Sequence, residues 1–284
     1  MRTMRRRWHT VRPISNGKAA DKTADSRGLS AVLLKENRME NTYRIADLKI
    51  RIVSLHENIH RLCEDYRTED GAADITVETT EDDVSFERLR SARQDEREGK
   101  PVRTFSDGYL ETLAVYRKMA ELAPLYDTVL MHGSCVAVDG EAYLFTAKSG
   151  TGKSTHVRLW RELLGDRAVM VNDDKPLIRI KNTGPVVYGT PWDGKHRLSN
   201  NIAVPLKAIC LLERAKEDSI RQIDPQEAYP MLFQQIYRPI DPVSMQKTLE
   251  LTDQLARQVG LWRLGCTISP EAARLAFTAM SGRK

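Results

Sequence analysis

Apolar and polar residues alternate along Thr42–Leu55 (TYRIADLKIRIVSL), the pattern of a strand with one buried face. ENIHRLCEDY follows as a short helix, and ADITVETT (Ala73–Thr80) as a second strand. The next stretch, EDDVSFERLRSARQDEREGKP, is charged at most positions and ends in Gly99 and Pro101. It reads as an exposed connection with a solvated face. From Asp107 onward, Leu110, Leu113, Ala114, Met119 and Leu122 fall at helical spacing, and Pro124 ends that helix. The character then changes. TVLMHGSCVAV has the apolar content of a strand buried on both faces, Asp139-Gly140 is a two-residue hairpin turn, and EAYLFTA returns beside it. After a glycine-rich loop, THVRLWRELLGD sets Val157, Trp160, Leu163 and Leu164 on one side of a helix that Gly165 can cap. AVMVNDD is a strand ending in two aspartates. PLIRI and VVYGT form a hairpin around Asn182–Pro185, LKAICLLER (Leu206–Arg214) is a strand again, and Gln226–Met280 is mainly helical.

These elements predict an α/β protein with a mixed sheet, a smaller α+β part before it and a helical C-terminal region. Three regions are expected: a disordered basic extension over 1–38, an α+β subdomain over 39–125 and a nucleotide-binding catalytic domain over 126–284. Charge supports the first boundary. Residues 1–38 hold ten Lys or Arg against three Asp or Glu, so the other residues carry a net −2 of the total +5. The body is slightly acidic, which argues against nucleic acid as a partner. The extension reads as a disordered leader, or as sequence upstream of a start at Met39. The four cysteines, Cys63, Cys135, Cys210 and Cys266, form no C-x-x-C pair, which argues for reduced thiols in a cytoplasmic protein and against a zinc site. No stretch approaches the roughly 20 apolar residues of a membrane span.

The chemistry is concentrated in Ala147–Thr155, AKSGTGKST. It matches the phosphate-loop pattern G-x-x-x-x-G-K-[ST] except for Ala147, where one methyl is tolerated if φ is negative. Backbone N–H groups of Ser149, Gly150, Thr151 and Gly152 can then line an anion hollow at a helix N-terminus. Lys153 would reach the phosphates of ATP, and the hydroxyl of Ser154, with Thr155 beside it, would bind Mg²⁺. Asp173 and Asp174 end the very next strand. One carboxylate can hold the metal and the other can accept a proton from an incoming hydroxyl. His132 and Gly133 stand at the end of the strand expected to pair with the strand before the loop. His132 can tune a catalytic carboxylate, or be a satisfied structural histidine. In GTPWDGKHR, Lys195 and Arg197 can contact substrate or phosphate, and Trp192 can stack or simply pack. Arg238 and Arg263 are weaker candidates.

Met-His-Gly, a hairpin, S-G-x-G-K-S, one helix and a strand ending in Asp-Asp, in that order, resemble the catalytic domain of HPr kinase/phosphorylase. That family shares its fold with the phosphoenolpyruvate carboxykinases. The resemblance spans LMHGSCVAVDGEAYLFTAKSGTGKSTHVRLWRELLGDRAVMVNDDKPLI. The later GTPWDGKHRLSNN and the tail PMLFQQIYRP…RLGC look like an uncharacterised bacterial branch of it. The resemblance implies a P-loop kinase fold and roles by position: Lys153 on the phosphates, Ser154 and Asp174 on Mg²⁺, Asp173 as base toward a hydroxyl, and His132 against that base. It implies an ATP-dependent kinase acting on a hydroxyl, of a serine in a protein or peptide or of a small molecule, and an assembly of several copies. The HPr kinase segments after the Asp pair have no match, which argues against HPr as acceptor and against the phosphorylase reaction. A non-catalytic ATP-binding regulator and a carboxykinase-like enzyme acting on a small acid are the alternatives.

Overall fold

Strand β1 (Met39–Ile45) turns directly into β2 (Leu48–Ser54), and β3 (Ile75–Glu78) joins β2 in parallel to complete a three-stranded sheet. The computed structural model describes residues 38–69 and 71–282. The extension expected over 1–38 lies outside them, Arg38 apart. The single strand expected over Thr42–Leu55 is thus a hairpin. Ala46 and Asp47 adopt φ of 53° and 58°, the left-handed pair that a two-residue turn requires. The turn pairs Ile45 with Leu48 and shifts the alternation by one residue, so the buried positions are Tyr43 and Ile45 before it and Leu48, Ile50 and Ile52 after it.

Helix α1 (Asn58–Leu62) follows β2. The charged stretch after β3 is helix α2 (Glu81–Arg97), not a loop, and a capping box between Thr80 and Asp83 starts it. Two acids in that run are buried rather than solvated. Glu87 binds Arg117 at 2.6 Å, and Asp95 binds Arg103 at 2.7 Å. Arg117 and Arg103 come from outside the helix, which adds only Arg90 at 3.3 Å from Glu87, so the run by itself does not reveal the burial. Helix α3 (Asp107–Leu122) packs Val115, Met119 and Ala120 against the small sheet, with Ile45, Ile50 and Ile52 on the facing side.

The larger sheet comprises β4 (Thr128–Leu130), β5 (Ser134–Val138), β6 (Glu141–Thr146), β7 (Ala168–Asn172), β8 (Leu177–Lys181), β9 (Gly184–Tyr188), β10 (Ala203–Arg214), β11 (Ser219–Gln222) and β12 (Gly260–Cys266). Its order is β4-β8-β9-β10-β6-β5-β7, with β12 also on β10 and β11 on β12. β10 pairs antiparallel with β9 through its first residues, and parallel with β6 and β12 through its later ones. The segment TVLMHGSCVAV is therefore not one strand. It breaks between β4 and β5, which pair with different neighbours. Gly133 marks the break: a Cβ there would stand 2.9 Å from Leu144 Cδ2 and 3.0 Å from the Phe145 carbonyl. β12 likewise lies inside the region expected to be mainly helical.

Helix α4 (Lys153–Leu164) and α7 (Pro270–Ser281) cover one face of the sheet, and α5 (Pro225–Gln235) and α6 (Pro242–Gln258) the other. Strand alternation divides the two cores. Tyr143, Phe145, Cys210 and Leu212 meet Trp160, Ala273 and Met280. Leu144, Ile209 and Leu211 meet Leu232, Leu251 and Leu255. Burial on both faces explains why these strands read as continuous apolar runs. Among the described residues, no helix is long and apolar enough to cross a membrane.

Candidate functional site

β5 runs antiparallel to both β6 and β7, so the C-terminal ends of β6 and β7 share an edge with the start of β5. Ser134 lies opposite Phe145, and Cys135 opposite Asn172. This register brings the glycine loop, the His132–Ser134 segment and the aspartate pair to one sheet edge. Parallel pairing of β10 with β6 brings Arg214 to the same edge. Arg214 Nη2 donates to the Gly150 carbonyl at 2.5 Å, and its Nε donates to that of Thr151 at 3.3 Å.

The loop between β6 and α4 takes φ of 78° at Gly150 and 123° at Gly152, and the space where their Cβ atoms would stand is open. Backbone, not crowding, is what demands glycine here. Ala147 has no positive φ, and its buried methyl joins the core beside Val157 and Trp160. The departure from the glycine pattern therefore leaves the loop geometry intact. Lys153 is buried and folds back to donate from Nζ to the Ala147 carbonyl at 3.2 Å. Burial lowers its pKa, while the nearby Asp174 and Asp173 carboxylates oppose that shift. Ser149 is exposed at the loop tip.

The two aspartates part company after β7. Asn172 Oδ1 accepts from the backbone N–H groups of Asp174 (2.9 Å) and Lys175 (2.7 Å), while its Nδ2 donates to the Thr190 carbonyl at 3.0 Å. This tight bend sends the neighbouring carboxylates to different places. Asp173, 6 % exposed, accepts from Ser134 Oγ at 2.6 Å and lines a cavity of about 230 Å³ with Ser154, Thr155 and His196. Asp174 opens on a cavity of about 760 Å³ and contacts Lys175 Nζ at 3.3 Å. His132 lies against Asp174, with Nε2 at 3.5 Å, and not against Asp173 as the resemblance implies. The break between β4 and β5 redirects it, and Gln235 Oε1 holds its Nδ1 at 3.0 Å. Burial, Lys175 and Lys153 together lower the His132 pKa to about 4, so the ring is neutral at pH 7.

The loop after β9 closes the larger cavity. Lys195, Arg197 and Trp192 all line it. Trp192 is mostly packed: its Nε1–H donates to the Thr112 carbonyl at 3.2 Å, and its ring lies 5.5 Å from that of Tyr116. Arg263 is committed elsewhere, to Glu227 at 3.0 Å and to Glu213. Arg238 is exposed and lines neither cavity. Sequence reasoning missed Ser134, Gln235, Arg214 and Asp193. Asp193 is buried, accepts from Ser199 Oγ at 3.1 Å, and has its pKa raised by burial. Only Asp193, inside the GTPWDGK segment already singled out, had a local signal.

Ser154 and Asp173 offer two oxygen donors to one small cavity. Among the described residues, no cluster of three or more His, Cys, Asp or Glu could hold a metal unaided. That set fits Mg²⁺, which completes its shell with phosphate oxygens and water.

Fold and site define a mixed α/β protein whose chemistry is gathered around a strand–glycine loop–helix unit. The model of the family described as SynChlorMet cassette protein ScmC matches residues 109–269, more than half of the chain, and the protein belongs to that family. Among solved structures, the Hpr(Ser) kinase/phosphatase from Coxiella burnetii is similar at 9 % identity and a TM-score of 0.30, over 54 % of this chain and 97 % of that one. A likeness of that size carries no functional weight. No curated protein matches.

Proposed function

We propose that this protein is an ATP-dependent kinase that transfers the γ-phosphoryl group to a hydroxyl. The observation that carries this reading is that Lys153, Asp173 and Asp174 come to one sheet edge beside a positive-φ glycine loop, Asp173 with Ser154 on the smaller cavity and Asp174 on the larger one. The backbone N–H groups of the loop and the start of α4 hold the phosphates, and Lys153 leaves the Ala147 carbonyl to contact them. Ser154 and Asp173 hold Mg²⁺, which when bound offsets charge on the phosphates.

The geometry favours Asp174 as the base, in exchange with the role that resemblance assigns to Asp173. Asp173 is buried and already occupied by Ser134, whereas Asp174 faces the cavity an acceptor would enter. Asp174 takes the proton of the acceptor hydroxyl. His132, neutral at pH 7 with its Nδ1–H donated to Gln235 Oε1, packs against that carboxylate and adds no positive charge that would lower its basicity.

Asp174→Asn should bind MgATP within a few-fold of wild type by calorimetry. Its transfer of labelled phosphate from ATP into a cell extract should fall by about 10²–10⁴. Asp173→Asn should instead weaken the Mg²⁺ dependence of ATP binding. Full transfer by Asp174→Asn removes it from the role of base, and no MgATP binding at millimolar concentration removes the kinase reading altogether.

A further inference from the structure

The cavity beside Asp174, at about 760 Å³, has the size of a pocket for a compact molecule rather than a docking face for a folded partner. Its walls are chemically sorted. Tyr109 and Tyr116 of α3, with Trp192, give an aromatic surface. Lys195 and Arg197 give positive charge from the loop after β9, which also carries Trp192.

The other cations on this cavity have acids: Lys175 has Asp174 at 3.3 Å, and Arg61 has Glu57 at 3.2 Å. Lys195 and Arg197 form no hydrogen bond or ion pair among the described residues. Asp193, their neighbour, is buried and held by Ser199. It feels the field of Arg197 without pairing to it. Two features pin this loop. A Cβ on Gly194 would stand 3.0 Å from Asp174 Cβ, so the backbone rests on the proposed base. Arg197 itself adopts a φ of 52°, a left-handed conformation that non-glycine residues hold chiefly at ligand clamps and turns.

We propose, resting on the kinase reading above, that the acceptor is a compact alcohol carrying its own anionic group, a carboxylate or phosphate. Lys195 and Arg197 hold the anion, the aromatic wall takes the apolar body, and the hydroxyl meets Asp174. The hydroxyl oxygen then forms a bond to the γ-phosphorus as the bond to the bridging β–γ oxygen breaks. ADP leaves with that electron pair, and the hydroxyl proton passes to the Asp174 carboxylate.

The test measures ADP formation with matched acceptors. Phenyllactate and glycerate supply a carboxylate, glycerol 3-phosphate supplies a phosphate, and 3-phenyl-1,2-propanediol and glycerol supply neither. At least one anionic alcohol should exceed its neutral counterpart by tenfold or more, and the stronger of the two anion types identifies the group. Lys195→Ala and Arg197→Ala should each raise the KM for that acceptor by roughly 10–100-fold, with a much smaller change in the KM for MgATP. Lys195→Arg should recover part of the loss. Equal rates with neutral alcohols, transfer only to a folded protein, or no acceptor turned over while MgATP binds would overturn this inference and leave the kinase reading standing. Failure of MgATP to bind, measured separately by calorimetry, would overturn both.

Discussion

Two glycines in this molecule form a matched pair that separates backbone strain from phosphate binding. Gly140, in the β5–β6 turn, has φ of 84°, and Gly150, in the loop before α4, has φ of 78°. Neither has an atom within 4 Å of where a Cβ would stand. An alanine at either position therefore clashes with nothing and meets only the left-handed penalty, about 1–2 kcal/mol. For a domain of this size, each variant should melt about 2–8 °C lower. The difference emerges with ligand. Relaxing φ at Gly150 turns a peptide N–H out of the proposed hollow, and a tenfold loss of MgATP affinity is expected. With MgATP a hundredfold above the wild-type Kd, ligand stabilisation should be about 2.7 kcal/mol in wild type and in Gly140→Ala, but about 1.4 kcal/mol in Gly150→Ala. Thermal unfolding with and without MgATP reads this directly. A Gly150→Ala variant that gains as much from MgATP as Gly140→Ala would refute the phosphate cradle.

Stability should also fall in mild acid. His156 is buried against Phe145, neither ring nitrogen has a hydrogen-bond partner among the described residues, and burial lowers its pKa to about 4 against the opposing pull of Asp218. The unfolded chain binds that proton near pH 6.5, so the contribution is whole above 6.5 and is lost as pH falls toward 4, about 3 kcal/mol at most. His132 acts in the same direction. His156→Phe should flatten the dependence measured by urea unfolding between pH 7 and 4.5, and an unchanged slope would refute this origin. Where α3 meets the ends of β2 and β3, the buried Glu111 carboxylate accepts from the backbone N–H of Leu55 (2.7 Å) and His56 (2.8 Å) and from Thr79 Oγ1 (2.5 Å). Glu111→Ala strands the two backbone donors, while Thr79 Oγ1 keeps the Val53 carbonyl at 3.3 Å, and should cost about 2–4 kcal/mol; a loss below about 1 kcal/mol by denaturant midpoint would show that water replaces the carboxylate.

Contiguity made the β6–loop–α4–β7 unit legible. A strand, two glycines, a lysine, an amphipathic helix and an acid pair follow one another within a few turns of chain, and neighbours in sequence are there neighbours in space. The same holds for the two cores, because alternation along Tyr143–Phe145 assigns each side chain a face before any partner is known. The β1–β2 turn is marked in the chain only by a one-residue shift of that alternation, from Tyr43 and Ile45 to Leu48, Ile50 and Ile52, and the apolar Ala46 at the turn masks the shift.

Folding alone decided which acid does what. Asp173 and Asp174 are adjacent and chemically identical in the chain, and they diverge because Asn172 bends the backbone between cavities built from distant elements. His132 is drawn to Asp174 by Gln235, 103 residues away, and Trp192 is held to α3 through Thr112, 80 residues away. Periodicity and turn chemistry act over a few residues and leave a local imprint. Hydrogen bonds across such separations arise only when packing brings their partners together, and no spacing in the chain announces them.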